Sequence, residues 1–599
     1  MSANDVIASS RTPLRSAIGA ALRASASGLS GRGLSAESVL GLIVVAALFI
    51  LVIGPLCAVL LQAFVPDLFF GDRARGGLGN LLELFNRPLW QRSLTNSLTL
   101  ASGAAVIGTA IGVGLALLRH SYRFPGRTSL DVLAWSLLIL PSFVLAQGWI
   151  LFASKGGLAN QWLGLPFVYD LIFSPFGLIL IMSLKNFPYA YLTTSAALQW
   201  RVEDHMNAAR LCGARPARVL RTIRAPLLLP AILSGAVLIF VDSIGDFGLP
   251  SALATTYRFP TLPYTIYVAI NQSPIRFDLA GVLSIYLTLI LLAAVTLYFW
   301  FLRRGRYDFL TSKARQTSAP KPRFAWALSA VAAAAIFVAL VLPIGTSWLV
   351  SIMHDIGNGP RLDNLTISHY AATLADGARM RVALGNSLWI AAAAGIGSLI
   401  ITFPAAYLLT FSNFRFFNRF IDLACTLSLA VPGVILGVGY IFIWNAPWLD
   451  RLGLSLYGHP FILALAAISG AVPIAVRIIL GAIAQVPRSF LSAAALQGAG
   501  LGRRLAGIVA PMAALALVSA ALTGFGSSVF DLATTAILHP PGFAVLPVHI
   551  TRAFEQGYYG ESTAATMAAG AITVAFIVAA QNLARRALRR FSPPTEDSR

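Results

Sequence analysis

Asn207-Ala208-Ala209-Arg210-Leu211-Cys212-Gly213, with Ile223-Arg224-Ala225-Pro226 following further on, occurs twice in this chain. The second copy is Ser492-Ala493-Ala494-Ala495-Leu496-Gln497-Gly498, followed by Ile508-Val509-Ala510-Pro511. Ala208 and Ala493, Gly213 and Gly498, Ile223 and Ile508, and Pro226 and Pro511 are all separated by one and the same offset. Each copy is a small-residue, polar island between long apolar runs. In a chain with 50 glycines a shared Ala-Ala and Gly carries little weight. Four positions in one register, with matching neighbours, mark an internal repeat.

The repeat extends outward from these islands. Asn96-Ser97-Leu98 returns as Asn386-Ser387-Leu388. Leu140-Pro141-Ser142 returns as Val431-Pro432-Gly433, Gly148 as Gly439 and Pro188 as Pro473. Asp246 returns as Asp531 at the offset of the islands, and Leu262-Pro263 returns as Leu546-Pro547. Order is kept throughout, which shared composition of membrane helices does not explain.

Composition says what surrounds the islands. The 599 residues are 57% hydrophobic and 11% charged, with a mean hydropathy of +0.76; soluble domains carry about 25% charged residues. This is an all-α, polytopic membrane chain. The net charge of +21 does not point to nucleic acid, because the basic residues collect in short loops between apolar runs. Cys57, Cys212 and Cys425 have neither disulfide-framework nor metal-ligand spacing. No cleavable signal sequence is expected in the Ser-, Ala- and Gly-rich segment 1–38, which reads as a cytoplasmic tail.

A bilayer core of about 30 Å takes about 20 apolar residues per helix. By that measure the first half holds spans near 39–64, 94–118, 129–152, 171–195, 227–249 and 279–302. The second holds spans near 324–352, 384–410, 420–445, 460–483, 511–537 and 562–584. The expected organisation is an N-terminal tail (1–38), a first membrane unit (39–302), a polar linker (303–323), a second unit (324–586) and a C-terminal tail (587–599). About twelve spans thus form two six-helix repeats. Six is even, so the repeats are parallel and related by an axis along the membrane normal. Loops 119–128 and 411–419 hold arginines and no acid, while 65–93 and 353–383 mix signs. Both termini, the linker and the two repeated islands are therefore expected on the cytoplasmic side of the membrane.

Charges inside spans are costly and often functional. Asp242 and Asp246 are four apart, on one helical face. Asp246 and its repeat mate Asp531 have two open readings: acids facing a translocation path, or the ends of helices. Lys185 either lines the path or snorkels to headgroups. Pro226 and Pro511 suit the first turn of a following helix. There is no Gly-x-x-x-x-Gly-Lys-Ser/Thr phosphate loop, no dinucleotide fingerprint, no zinc spacing and no Ser/His/Asp set above background. The chain does not read as an enzyme: no catalytic residue, no metal site and no cofactor of its own are expected, and its function must be completed by partners.

The repeated island resembles the cytoplasmic Glu-Ala-Ala loop of ABC importer permeases, whose pattern is Glu-Ala-Ala, three residues, Gly, nine residues, Ile, one residue, Leu-Pro. Ala208-Ala209, Gly213, Ile223 and Pro226 match it, as do Ala493-Ala494, Gly498, Ile508 and Pro511. Asn207 and Ser492 stand where the family has Glu, and Ala225 and Ala510 where it has Leu. The resemblance covers both halves. A fused two-unit chain is similar to the ferric-iron and thiamine permeases, and Gly245-Asp246-Phe247-Gly248 looks like the ferric branch.

The resemblance implies loops that dock on two separate ATPase subunits, an extracytoplasmic solute-binding protein, and ferric iron as cargo. Thiamine, a polyamine or aminoethylphosphonate are the alternative cargoes. An ion-gradient-driven secondary transporter is the rival class, and it gives no reason for the repeated loop.

Overall fold

The computed structural model describes residues 35–65, 79–198, 209, 211–253, 259–304 and 322–589. Asn207, Ala208, the expected linker from 305 to 321 and the outer parts of both tails lie outside the described residues. Within them the fold is helical, with one isolated antiparallel bridge between Met353 and Leu365. Eight helices are long and apolar enough to cross a membrane, and eleven if each of three bent pairs is one crossing. The fourth expected span, Pro175–Leu198, lies outside that set and carries Lys185, Asn186 and Pro188 at its middle.

The helices run in the same order in both halves. In the first, α1 (Ala36–Phe64) is followed by α2 (Pro88–Ser121), α3 (Ser129–Ile139), α4 (Ser142–Ala153), α5 (Pro175–Leu198), α6 (Ala225–Gly245), α7 (Gly248–Leu253), α8 (Leu262–Asn271) and α9 (Phe277–Arg304). In the second, α10 (Ala325–Ser351), α11 (Arg379–Phe411), α12 (Arg415–Ala430), α13 (Gly433–Trp444) and α14 (Phe461–Ile483) correspond to α1 to α5. After the island helix α15 (Arg488–Leu496) come α16 (Ala514–Val529), α17 (Leu532–Leu538), α18 (Leu546–Glu555) and α19 (Tyr559–Arg589), which match α6 to α9. The cores match too: α2, α5 and α6 pack on one another, as do α11, α14 and α16.

Four expected spans are broken. The third bends by 104° at Pro141 and the ninth by 115° at Pro432. A residue before proline is pushed out of the helical region, and Leu140 and Val431 are extended, with ψ of 130° and 118°. The fifth and eleventh stop at Gly245 and Val529, not at 249 and 537. In each, a short helix follows a break at Asp246 or Asp531.

Two repeated motifs meet. Ser97 on α2 accepts from the N–H of Leu262, and Asn96 donates to the Pro260 carbonyl at 3.0 Å, so the pair fixes the N-terminus of α8. Ser387 and Asn386 do the same for α18, through Leu546 and the Ala544 carbonyl at 2.8 Å.

The first helix of each half packs on the other half. The later part of α1, Gly54–Phe64, lies on α13, and the later part of α10, Leu342–Ser351, lies on α4. Gly439 and Gly148 are the crossing points: a Cβ on either would run into the backbone carbonyl of Pro55 or Pro343. Pro55 has no N–H for the Leu51 carbonyl one turn back. That carbonyl accepts instead from the hydroxyls of Tyr440 at 3.0 Å and Ser469 at 2.8 Å, both in the second half. Among the described residues four π-helical turns occur, 49–53, 220–224, 337–341 and 505–509, each ending two positions before a proline.

Candidate functional site

The repeated islands turn in the same way at their glycines. Ser492, Ala493 and Ala494 lie in α15, and the backbone turns at Gly498 with φ of +79°. The Gly498 N–H donates to the Ala495 carbonyl at 3.0 Å and the Ala499 N–H to the Ala494 carbonyl at 2.9 Å. These are the two bonds of a Schellman cap, which satisfies carbonyls left over at a helix end. In the first copy Gly213 has φ of +80°, and the Ala214 N–H donates to the Ala209 carbonyl at 3.0 Å. The step of four from the second alanine to the glycine is thus the step from the accepting carbonyl to the left-handed residue. Nothing lies within 4 Å of a Cβ built at either glycine. Within this chain the need for glycine is conformational rather than steric.

Each island then rises through a short helix into a π-turn that holds Ile223 or Ile508, and Pro226 or Pro511 follows. The second island is clamped to the end of α11. Arg488 donates to the Thr410 carbonyl at 2.8 Å and lies 6.0 Å from the centre of the Phe411 ring, while Leu491 is buried in the core. A cation suits the carbonyl end of a helix.

Sequence reasoning missed Leu211 and Leu496. They are repeat mates, two positions before each glycine, and are 90% and 91% exposed. Their identity at the repeat spacing was visible, but leucine is common enough in this chain to hide it. Among the described residues each island presents a leucine outward just before its glycine turn.

The charged residues of the spans divide by half. In the first, Lys185 Nζ lies 2.7 Å from Asp242 Oδ2 and 3.3 Å from Asp246 Oδ2. Tyr189 donates to Asp242 Oδ1 at 3.0 Å, and the Leu249 N–H donates to Asp246 Oδ1 at 3.0 Å. The Lys185 side chain is 12% exposed and that of Asp246 6%, so the ammonium turns to two carboxylates and not to a headgroup. In the second half, Asp531 Oδ1 accepts from the Thr534 N–H at 3.1 Å and caps α17. This bond is the repeat mate of the one between Asp246 and Leu249. The other partners are gone: Gly470 stands for Lys185, Ile474 for Tyr189 and Ser527 for Asp242.

A cavity of about 270 Å³ lies where they are missing, lined by Gly470, Ile474, Ser527, Asp531 and Thr534 among others. No described basic side chain pairs with Asp531. Among the described residues no group of three or more His, Cys, Asp or Glu side chains is placed to hold a metal ion.

Comparison with known proteins gives a consistent result. The family model described as "Binding-protein-dependent transport system inner membrane component" matches residues 108–304 and again 397–592. The chain is 24% identical over 514 residues to a probable ABC transporter permease protein, y4fN, of Sinorhizobium fredii, covering 82% of this chain and 88% of that one. It is 23% identical over 542 residues to the ferric transport system permease protein FbpB of Actinobacillus pleuropneumoniae, covering 87% and 74%. It is 33% identical over 195 residues to the molybdenum transport system permease protein ModB of Escherichia coli K12, covering 31% and 82%.

Proposed function

The chain belongs to the family of binding-protein-dependent transport inner membrane components, as a fused two-unit ABC importer permease, and from that premise we propose that its cargo is ferric iron. One observation carries the choice. The relative named for ferric transport aligns along 87% of the chain, through both units, whereas the relative named for molybdenum aligns along 31%, about one unit. The carboxylate in the second-half cavity also disfavours an oxyanion there.

The working complex is this chain, two separate ATPase subunits and an extracytoplasmic protein that delivers the solute. The chain lies in a bacterial inner membrane with the islands, both termini and the linker on the cytoplasmic side, as the arginine-rich loops favour. Units 39–302 and 324–586 each offer one ATPase subunit an island. The apolar contact is Leu211 in one and Leu496 in the other. Asn207 and Ser492 add a shorter polar contact than the family's glutamate. ATP binding draws the ATPase pair together and moves the islands. The Schellman turns and the π-turns before Pro226 and Pro511 hand that displacement to α6 and α16. The cycle requires only that ATP and the loaded binding protein favour one state of the two halves over the other.

The test is uptake of labelled ferric iron by cells with and without this chain, grown under iron limitation. Loss of uptake without the chain is expected. Unchanged ferric uptake with loss of thiamine, polyamine or aminoethylphosphonate uptake would keep the permease and replace the cargo. Uptake that survives ATP depletion while an ion gradient persists would overturn the importer.

A further inference from the structure

We propose that the cavity at Asp531 is an intramembrane cargo site, that it takes a cation, and that Lys185 is a tethered cation occupying the matching site of the first half. The inference rests on the importer reading and adds where the solute pauses.

By the repeat offset Lys185 corresponds to Gly470, which lines the cavity. Met182, Lys185, Tyr189, Asp242 and Asp246 become Ala467, Gly470, Ile474, Ser527 and Asp531, and all five of the latter line the cavity. The carboxylate is retained, with the same backbone bond to the residue three further on. What changes is its cation. In the first half a fixed ammonium sits 3.3 Å from the Asp246 carboxylate. In the second the acid faces empty space, and a Cβ added to Gly470 meets nothing within 4 Å. Asp531 keeps its bond from the Thr534 N–H but has no described counter-charge, and a carboxylate taken out of water without one is costly, so the site is completed by a positive charge that arrives and leaves.

The lining fits that occupant. The cavity's polar side chains are Asp531 and the hydroxyls of Ser428, Ser527, Ser528 and Thr534, with no imidazole, thiol or thioether. Oxygen donors suit hard metal ions and ammonium groups rather than soft metals. One carboxylate attracts a cation without caging it, as a transit site must. In the first half the Lys185 ammonium sits against both acids and fills the place beside them that a mobile cation would take.

The test fills the void in the assembled transporter. Uptake of labelled ferric iron, putrescine, thiamine, molybdate and sulfate is measured for wild type, Gly470→Lys and Gly470→Leu, with co-purifying ATPase subunits scored in each. The expected result is cation uptake by the wild type and at least a tenfold loss in Gly470→Lys, with ATPase subunits still bound. Gly470→Leu, which fills space without charge, should also lose uptake. Retained uptake in both variants would overturn the site and leave the importer standing. Should either variant fail to assemble, the other decides. Loss of ferric uptake identifies the metal, and loss of putrescine or thiamine uptake an organic cation, which keeps the site while the ferric reading fails. Wild-type import confined to an oxyanion, or no import of any cation, would overturn the cationic occupant.

Discussion

The hydroxyl of Ser97 accepts a hydrogen bond from the backbone N–H of Leu262 at 2.7 Å, and Ser387 repeats the bond with Leu546 at 2.9 Å. Both serines are buried, and both bonds hold the start of a short helix, Leu262–Asn271 in one half and Leu546–Glu555 in the other. Losing such a cap costs about 1 kcal/mol. Ser97→Ala and Ser387→Ala should each lower the unfolding temperature by a few degrees. Amide exchange should quicken first in 262–271 or 546–555. Equal quickening along α2 or α11 would deny the capping role.

The two island glycines should tolerate size poorly for a backbone reason. A left-handed conformation costs an ordinary residue about 1–2 kcal/mol. Gly213→Ala and Gly498→Ala should loosen the island and reduce ATPase co-purification. Asparagine, which enters that region more readily, should do less harm than alanine. Equal effects of alanine and asparagine would point to lost space instead.

Leu211 and Leu496 touch little within the chain, so changing them should spare insertion and stability. Leu211→Asp and Leu496→Asp should each cut ATPase co-purification several-fold, and the double variant should abolish it. Wild-type recovery of ATPase subunits by the double variant would remove these leucines from the interface.

The two halves should answer differently when a charge is removed. Asp531→Asn keeps a capping side chain and breaks no ion pair, so stability should hold while uptake falls. Lys185→Met leaves Asp242 and Asp246 together without their cation, and breaking such a buried cluster costs about 3–5 kcal/mol. That variant should be poorly expressed, and Lys185→Gly combined with Asp242→Ser should recover much of the loss. Thermal unfolding of the purified variants in detergent checks the order.

Tyr440 and Ser469 share one acceptor, the Leu51 carbonyl freed by Pro55. Either hydroxyl alone still satisfies it. Tyr440→Phe and Ser469→Ala should each cost about 1 kcal/mol, and the pair more than the sum, because a buried carbonyl is then orphaned. A double-mutant cycle read by thermal unfolding gives the coupling.

Much of this was legible in the sequence because a repeat makes each half a control on the other. The twelve apolar segments, the islands and the Asn-Ser and Leu-Pro pairs follow from order and spacing. That Asn96-Ser97 holds Leu262 was not legible, since hydrophobic runs say nothing of which buried polar groups meet across 165 residues. Nor were the bends at Pro141 and Pro432, because a broken span has the same apolar content as a straight one. Asp246 and Asp531 were visible as a pair, but their difference lies in Lys185 and Gly470, on another helix. The exchange of α1 and α10 between halves leaves its trace only in Gly148 and Gly439, whose role depends on which carbonyl crosses them.

That exchange has a consequence for synthesis. The later part of α1 ends at Phe64, and its partner α13 begins only at Gly433, in the other half of the chain. At about 5–20 residues per second, the Pro55 surface of α1 waits on the order of a minute in the lipid before the helix that covers it exists. Assembly of the first half therefore ends only with the second, and a ribosome that stalls in between leaves an exposed helix for the cell's membrane proteases to find.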